Sequence, residues 1–416
     1  MAAERDFDVI VFGATGVTGR RVAGYLAEQA AEHGRPWAAA ARDAQKLERV
    51  LAEDGVSAPE TIVADVDDFA SLAAMASRTR VVLDLVGPYT LYGRPVIEAC
   101  VSNGAHYVDL TGEIPFVRQI IEAYDARAAS AGVKIVQVCG FEALPPDLLV
   151  LLAAETARER FGEGLDEADV HVSVTGPPGM PRPSDMISGG TFQSLAAAAG
   201  GEDASAVTDP GALIVDSARA GDVRRRSPIT VAPRRVDGAV IAPMAPAAFI
   251  NPAVIHRTAA LVGGEPFRYR EGMALHGPPA TLPLRLAGAG VLSGVQAAVG
   301  AAARARPAVR RRVGATLGRV LPKSGFGPAA DRLEAWKWRM SLTARATGGG
   351  VVRADVDADG HPGYLATARM IGEAGLLLAQ PEATSDRSGC LTPATALGTE
   401  CIERFERARV RFSVQP

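Results

Sequence analysis

At 416 residues and 43.2 kDa the chain is too long for one ordinary core and short for three, so two packed domains are expected. Hydrophobic residues at 48% against 22% charged exclude a disordered chain, and a net charge of −3 provides no global field for nucleic acid. Four scattered cysteines (Cys100, Cys139, Cys390 and Cys401), with no paired spacing, point away from disulfides and zinc and toward a reducing cytosol.

The opening "MAAERDFDVIVFG" is acidic and then strand-like, without the basic-then-apolar layout of a signal peptide, so a cytoplasmic location is expected. Residues 7–12, "FDVIVF", read as a strand buried on both faces of a parallel sheet. Gly13, Gly16 and Gly19 follow at a spacing of three and lead into a helix over about 17–31. One glycine permits the tight turn, one lets backbone N–H groups approach a diphosphate, and one allows close packing of helix on strand. The helix aims its positive N-terminal end at the anion. The loop Gly13, Ala14, Thr15, Gly16, Val17, Thr18 and Gly19 is therefore assigned to a dinucleotide.

A glycine triplet alone is weak, and the context strengthens it. Strand patterns recur at 37–41, 60–66, 80–87, 106–110 and 133–140, and the segments between them place apolar residues at helical spacing. Six strands with intervening helices predict an α/β chain opening on a doubly wound parallel sheet of the Rossmann type. Where an acidic residue would end the second strand and take a ribose 2′-hydroxyl, Arg42 comes first. Its planar fork suits a 2′-phosphate and favours NADP(H), against the alternative that Arg42 only pairs with Asp43. Asp65, closing the third strand, is placed to meet the adenine edge. Val86, Gly87 and Pro88, closing the fourth, lie where a nicotinamide ring would stack.

No Tyr has a Lys four positions later, so the Tyr-x-x-x-Lys proton relay of short-chain dehydrogenases is missing. Other proton donors cluster after strands four to six: Tyr89, Tyr92, Asp109, Thr111, Glu113 and Glu142, of which Tyr89, Glu113 and Glu142 are the chosen candidates. Tyr89 can donate as it stands, whereas either Glu needs desolvation to hold a proton at neutral pH. The structural alternatives are that Tyr92 packs in the following helix and that "TGE" (111–113) supports the start of the next one.

After Leu152 the strand–helix alternation stops. "TGPPGMPRPSDMISGGT" (175–191) is a Pro/Gly-rich loop long enough to cover a cleft, and its terminal "SGGT" offers backbone amides to a ligand. Residues 286–303 are uncharged, interrupted by Ser293 and Gln296, and continue into the basic "RARPAVRRRVG" (304–314). This reads as a surface for an anionic membrane or an acidic carrier, or as a buried helix followed by a charged turn. The alternating Asp355, Asp357 and Asp359 suggest a hairpin turning at "DADG", and "LTPATALGTECIERFERARV" (391–410) reads as a capped final helix.

The chain resembles the saccharopine dehydrogenase-like oxidoreductases, in particular the bacterial branch with trans-acting enoyl reductases. The resemblance rests on "FGATGVTG" (12–19), "VGPYTLYGRPVIEAC" (86–100), "YVDLTGE" (107–113), "CGFEALPPDL" (139–148), "SGGT" (188–191), "GYLATARMIGEAGLLLA" (363–379) and "LTPATALG" (391–398). Where that family usually reads closer to Phe-Asp-Ser, this chain has Phe141-Glu142-Ala143. The resemblance implies a Rossmann domain over about 1–148, a mixed α/β domain over about 149–380 that forms a dimer or lipid-facing surface, and a C-terminal helix returning over 381–416. It implies an NADPH-dependent enoyl reductase acting on a small-molecule or carrier-bound acyl group. The alternatives are a saccharopine-like imine oxidoreductase and a non-catalytic lipid-surface protein that keeps the fold as scaffold.

Overall fold

The first apolar run forms β1 (Phe7–Phe12), buried along its whole length, and after the glycine loop the chain enters α1 (Gly19–His33). These elements belong to a computed structural model describing residues 5–178, 204–244, 246–310, 312 and 332–415. The alternation continues with β2 (Trp37–Ala41), α2 (Ala44–Glu53), β3 (Thr61–Val63), α3 (Phe69–Ser77), β4 (Thr79–Asp84) and α4 (Tyr89–Asn103). It closes with β5 (His106–Asp109), α5 (Ile114–Ser130), β6 (Lys134–Val136) and α6 (Leu144–Phe161). All six expected strands are present. β3, β4, β5 and β6 each end earlier than their apolar runs; past β4, Asp84 accepts the Val86 N–H (3.0 Å), and past β6, Asp109 accepts the N–H of Val138 (3.1 Å), which sits at φ +61°.

The strands lie in parallel in the order β3-β2-β1-β4-β5-β6, so the order reverses between β1 and β4. Successive β1 residues serve opposite faces, as a pleated strand requires. Val9 and Val11 pack in the cluster holding Val22 and Leu26 of α1, whereas Ile10 and Phe12 pack with Leu72, Ile97 and Ile120 of α3, α4 and α5.

The second sheet is built from β7 (Leu165–Thr175), β8 (Arg234–Val236), β9 (Ala239–Ala242), β10 (Arg268–Leu275), β11 (Lys337–Ala346) and β12 (Val351–Asp359). Between these strands run α7 (Ser217–Arg226), α8 (Ala247–Leu261) and α9 (Leu282–Ala303). The β11–β12 hairpin turns at residues 347–350, where three glycines follow Thr347, and not at "DADG". The alternating aspartates pair across its exposed face: Asp357 takes both arms of Arg339 (2.6 and 2.8 Å) and Asp355 accepts from Ser341 (2.6 Å). Of the expected covering loop at 175–191, residues 179–191, with the "SGGT", lie outside the described residues.

The last 55 residues include the stretch expected to be one final helix (391–410) and form several short elements instead. A π-helical turn at Pro362–Ala366 leads into α10 (Thr367–Leu378), which lies back on the first sheet. Gly375 meets Leu83 of β4, Gly372 meets Tyr25 of α1, and the Tyr25 hydroxyl donates to Glu373 (2.7 Å). Then β13 (Gly389–Leu391) adds a seventh parallel strand beside β6. The helix expected over 391–410 is only α11 (Pro393–Leu397), started by a Thr392/Thr395 capping box and ended by Gly398 at φ +80°. The chain closes on β14 (Val410–Val414), paired with β12 in the second sheet.

The two halves share polar joints. Asp147 of α6, fully buried, accepts from the Thr258 hydroxyl and from the Ala394 N–H (2.9 Å), and burial pushes its carboxyl up to about 7. Glu271, burdened by the same desolvation, also stands at about 7. A carboxyl raised above its unfolded value holds its proton more tightly in the native state, so its stabilisation is complete below about pH 4 and is lost as pH rises through about 7. The melting temperature is therefore expected to fall between about pH 5.5 and pH 8, and Asp147→Asn, which cannot ionise, should flatten that decline.

Candidate active site

The carboxyl ends of the first sheet open onto a cavity of about 750 Å³, lying across the reversal between β1 and β4. Every expected cofactor residue except Ala14 lines it: Gly13, Thr15, Gly16, Val17, Thr18, Gly19, Arg42, Asp65, Val86, Gly87 and Pro88. Ala14 is buried beneath the loop. Gly13 sits at φ +89°, and a Cβ there would come within 2.9 Å of Val86 and 3.0 Å of the Leu85 backbone. A Cβ at Gly19 would overlap the Gly13 carbonyl oxygen. These two glycines let the loop fold tightly against the end of β4 and leave room for a diphosphate at the start of α1.

At one end of the cavity Arg42 and Lys46 line the wall with Asp65 and Asp67. Arg42 is exposed and makes no ion pair among the described residues; Asp43 is occupied as the cap of α2, accepting the Lys46 N–H at 2.9 Å. Lys46 was not among the expected residues. Its signal was a second cation four positions after Arg42, in the first turn of a helix.

At the other end the wall passes from Leu85–Tyr89 through Leu110, Thr111, Gly140 and Glu142. Beneath it lies a buried polar platform, with the Tyr107 hydroxyl 3.0 Å from Asp84 and 2.9 Å from Asp109. One hydroxyl donates a single hydrogen, so the second contact requires a proton on one of the carboxyls. Burial agrees, raising Asp84 well above the ordinary range and Asp109 to about 6. The remaining acceptor positions take the N–H groups of Val86 (3.0 Å), Thr111 (3.0 Å) and Val138 (3.1 Å), which fixes three wall segments.

The three proton-donor candidates separate here. Glu113 does not line the cavity: buried at 1% exposure, it accepts the N–H groups of Tyr89 (3.0 Å) and Thr90 (2.9 Å) and the Thr90 hydroxyl. It holds the N-terminus of α4, where a carboxylate meets unsatisfied backbone donors. Tyr89 presents its ring to the cavity, but its hydroxyl donates to the Asp84 carbonyl (3.1 Å) and accepts from the Leu110 N–H (3.3 Å), tying the ends of β4 and β5 together. Burial raises that phenol further, against proton release. Both residues are thus engaged in building the wall.

Glu142 is the candidate that remains available. Among the described residues its carboxyl has only its own backbone N–H as a partner, and desolvation lifts it above the usual carboxylate range. Its turn is held from both sides: the Phe141 N–H donates to Thr367 of α10 (3.1 Å), and the Phe141 ring meets Trp338 of β11 edge-on at 5.0 Å. Tyr92 also lines the cavity, one turn into α4 and 37% exposed, instead of packing wholly within that helix. The wall facing these groups comes from the rest of the chain: Val207, Pro246, Phe249, Ile250, Tyr364 and Thr367. Tyr364 and Thr367 fall in the block 363–379 that carries the resemblance, but no sequence signal placed any of the six at the site, because they converge from segments up to 160 residues apart.

The sequence model of the saccharopine dehydrogenase NADP binding domain matches residues 9–136, which run from β1 to β6. A Mycobacterium tuberculosis protein provisionally named a trans-acting enoyl reductase is 35% identical over 425 residues, covering 98% of this chain and 97% of that protein. The trans-acting enoyl reductase of Mycobacterium leprae is 34% identical, with 98% of this chain and 97% of that one covered. Among solved structures, apo saccharopine dehydrogenase (L-Glu forming) from Saccharomyces cerevisiae superposes with a TM-score of 0.53 over 98% of this chain and 99% of its own, at 14% identity. That last likeness is one of fold. The cradle, the open cation at Arg42 and the matched domain agree on NADP(H) as the cofactor.

Proposed function

The chain belongs to the saccharopine dehydrogenase-like oxidoreductases, together with the trans-acting enoyl reductases, and from that premise we propose that it is an NADPH-dependent reductase of an unsaturated acyl group. The observation that carries this reading is one continuous cavity joining a dinucleotide cradle to Glu142, whose carboxyl is raised by burial and engaged by no other described residue, between apolar walls. NADPH, when bound, supplies the hydride.

The chain's own residues do the rest. Gly13 to Gly19 and the start of α1 hold the diphosphate, Arg42 and Lys46 hold the 2′-phosphate, and the 86–88 turn bounds the ring end. Glu142 keeps a proton at its carboxyl and delivers it to the α-carbon side of the conjugated acyl group as electrons arrive there. Val207, Phe249 and Ile250 exclude water around the reacting carbons. The acyl group comes as a free thioester or on a carrier, in the cytoplasm.

The imine alternative is disfavoured by charge. A substrate with several carboxylates needs cations near the hydride end, yet the lining cations among the described residues are Arg42 and Lys46, both at the ribose end. The test is NADPH oxidation followed at constant enzyme with a 2-enoyl thioester and, in parallel, with 2-oxoglutarate plus lysine. Oxidation with the enoyl acceptor alone supports the reading; oxidation only with the imine-forming pair overturns it.

A further inference from the structure

The helix α9 (Leu282–Ala303) violates the usual arrangement of a surface helix. Its inward stripe is Ala289, Gln296, Gly300 and Ala303, and Ser293 donates its hydroxyl to the Ala289 carbonyl (2.9 Å). Gln296, the polar break noted in the sequence, therefore points into the protein. Arg285, in the first turn, is tied to the backbone carbonyls of Gly238 (3.2 Å) and Leu275 (3.1 Å), and beyond it, Ser293 apart, the rest of the circumference is apolar and faces outward: Leu284 is 75% exposed, Val291 67% and Val295 53%, among Pro, Ala and Gly. Of the twelve large hydrophobic residues most exposed among the described ones, six fall between Leu284 and Val309. An apolar face of this length, about 33 Å for 22 residues, is one that water alone does not normally cover.

Charge identifies the occupant. From residue 272 to residue 330 the sequence holds eight Lys and Arg and no Asp or Glu, in a chain whose net charge is −3. Arg304 and Arg306, at the end of α9, are exposed. We propose that α9 and the arginines at its end, Arg304 and Arg306, form a binding surface for an anionic lipid bilayer, with the helix lying flat at the headgroup boundary. It is long and apolar enough to span, but its buried stripe is part of the protein's own packing, so it lies on the membrane instead of crossing it.

The helix is also joined to the cavity. Ala303 and the half-buried Val299 pack with Val207 and Phe249, two of the residues that line the substrate end. An acyl chain leaving the bilayer beside α9 thus meets the apolar wall of the site; this clause, unlike the lipid surface itself, rests on the reductase reading.

The test is flotation of the full chain with vesicles of phosphatidylcholine containing about 30% phosphatidylglycerol, with pure phosphatidylcholine vesicles as reference. Binding is expected to be at least about tenfold stronger to the anionic vesicles, and to weaken as salt screens the cations. The double variant Val291→Asp/Val295→Asp should lose at least about tenfold in vesicle binding, while its NADPH affinity, read by cofactor fluorescence, stays at the parent value. Failure of the parent to float, or equal flotation of the double variant, overturns the proposal. So does a parent dimer in sedimentation that the double variant dissolves without any vesicle binding, which would assign the face to a second copy, or capture by an acidic carrier protein with none by vesicles. Turnover of a short soluble enoyl thioester is read separately, so vesicle binding without turnover sinks the reductase reading alone.

Discussion

Glu142→Gln is expected to slow turnover of the enoyl acceptor by about 10²- to 10⁴-fold, the usual worth of a positioned general acid, with NADPH affinity unchanged. Its carboxyl lines the substrate wall, no other described residue engages it, and burial raises it toward the protonated form. Glutamine keeps the length and loses the transferable proton, so the loss should appear in kcat more than in KM. The pH profile gives an independent check. Burial raises Glu142, so the parent's rate should be steady on the acid side and fall as pH rises through the raised value. In the variant that fall should be missing. Tyr89→Phe is the control: its hydroxyl serves the Asp84 carbonyl and the Leu110 N–H, so it should retain most of the rate and lose some stability. A large loss for Tyr89→Phe with a near-parental Glu142→Gln would move the proton donor to the tyrosine.

Arg42→Ala should weaken NADPH binding by about ten- to a hundredfold, the equivalent of one charge-assisted contact of about 1.5–3 kcal/mol, and leave NADH nearly unaffected. The side chain is already exposed at the ribose end and has no competing ion pair among the described residues, so no internal bond is broken on binding. Lys46, in the first turn of α2, is the second cation in reach of the same phosphate, so Lys46→Ala should act in the same direction and the double variant more strongly than either. Parallel fluorescence titrations with both cofactors decide it. Equal losses for NADPH and NADH would remove the 2′-phosphate assignment from Arg42.

The half of the chain that alternates was legible because its signals are local. Apolar runs such as "FDVIVF" and capping aspartates such as Asp43 and Asp68 act within a few residues of themselves. The glycines at 13 and 19 likewise answer constraints set by their immediate neighbours. The C-terminal segment was misread as one helix because its pattern is helical up to Leu397, while Gly398 ends the helix and the alternation of Val410–Val414 serves a strand paired with β12.

The sequence by itself thus determined the doubly wound sheet, the tight glycine turn after β1 and the exposed cation after β2, because strand burial, turn sterics and a charged side chain at a strand end follow from adjacent residues. Only the tertiary structure decided which acidic residue is left without a partner from another residue. Glu113 and Glu142 look alike in sequence, but one is spent on the N-terminus of α4, whereas the other lies on the cavity wall with no partner beyond its own N–H. It likewise decided the substrate wall and the outward face of α9. Both depend on which distant segments the shared core draws together and which faces it leaves uncovered, a balance of packing that no short stretch of the chain encodes.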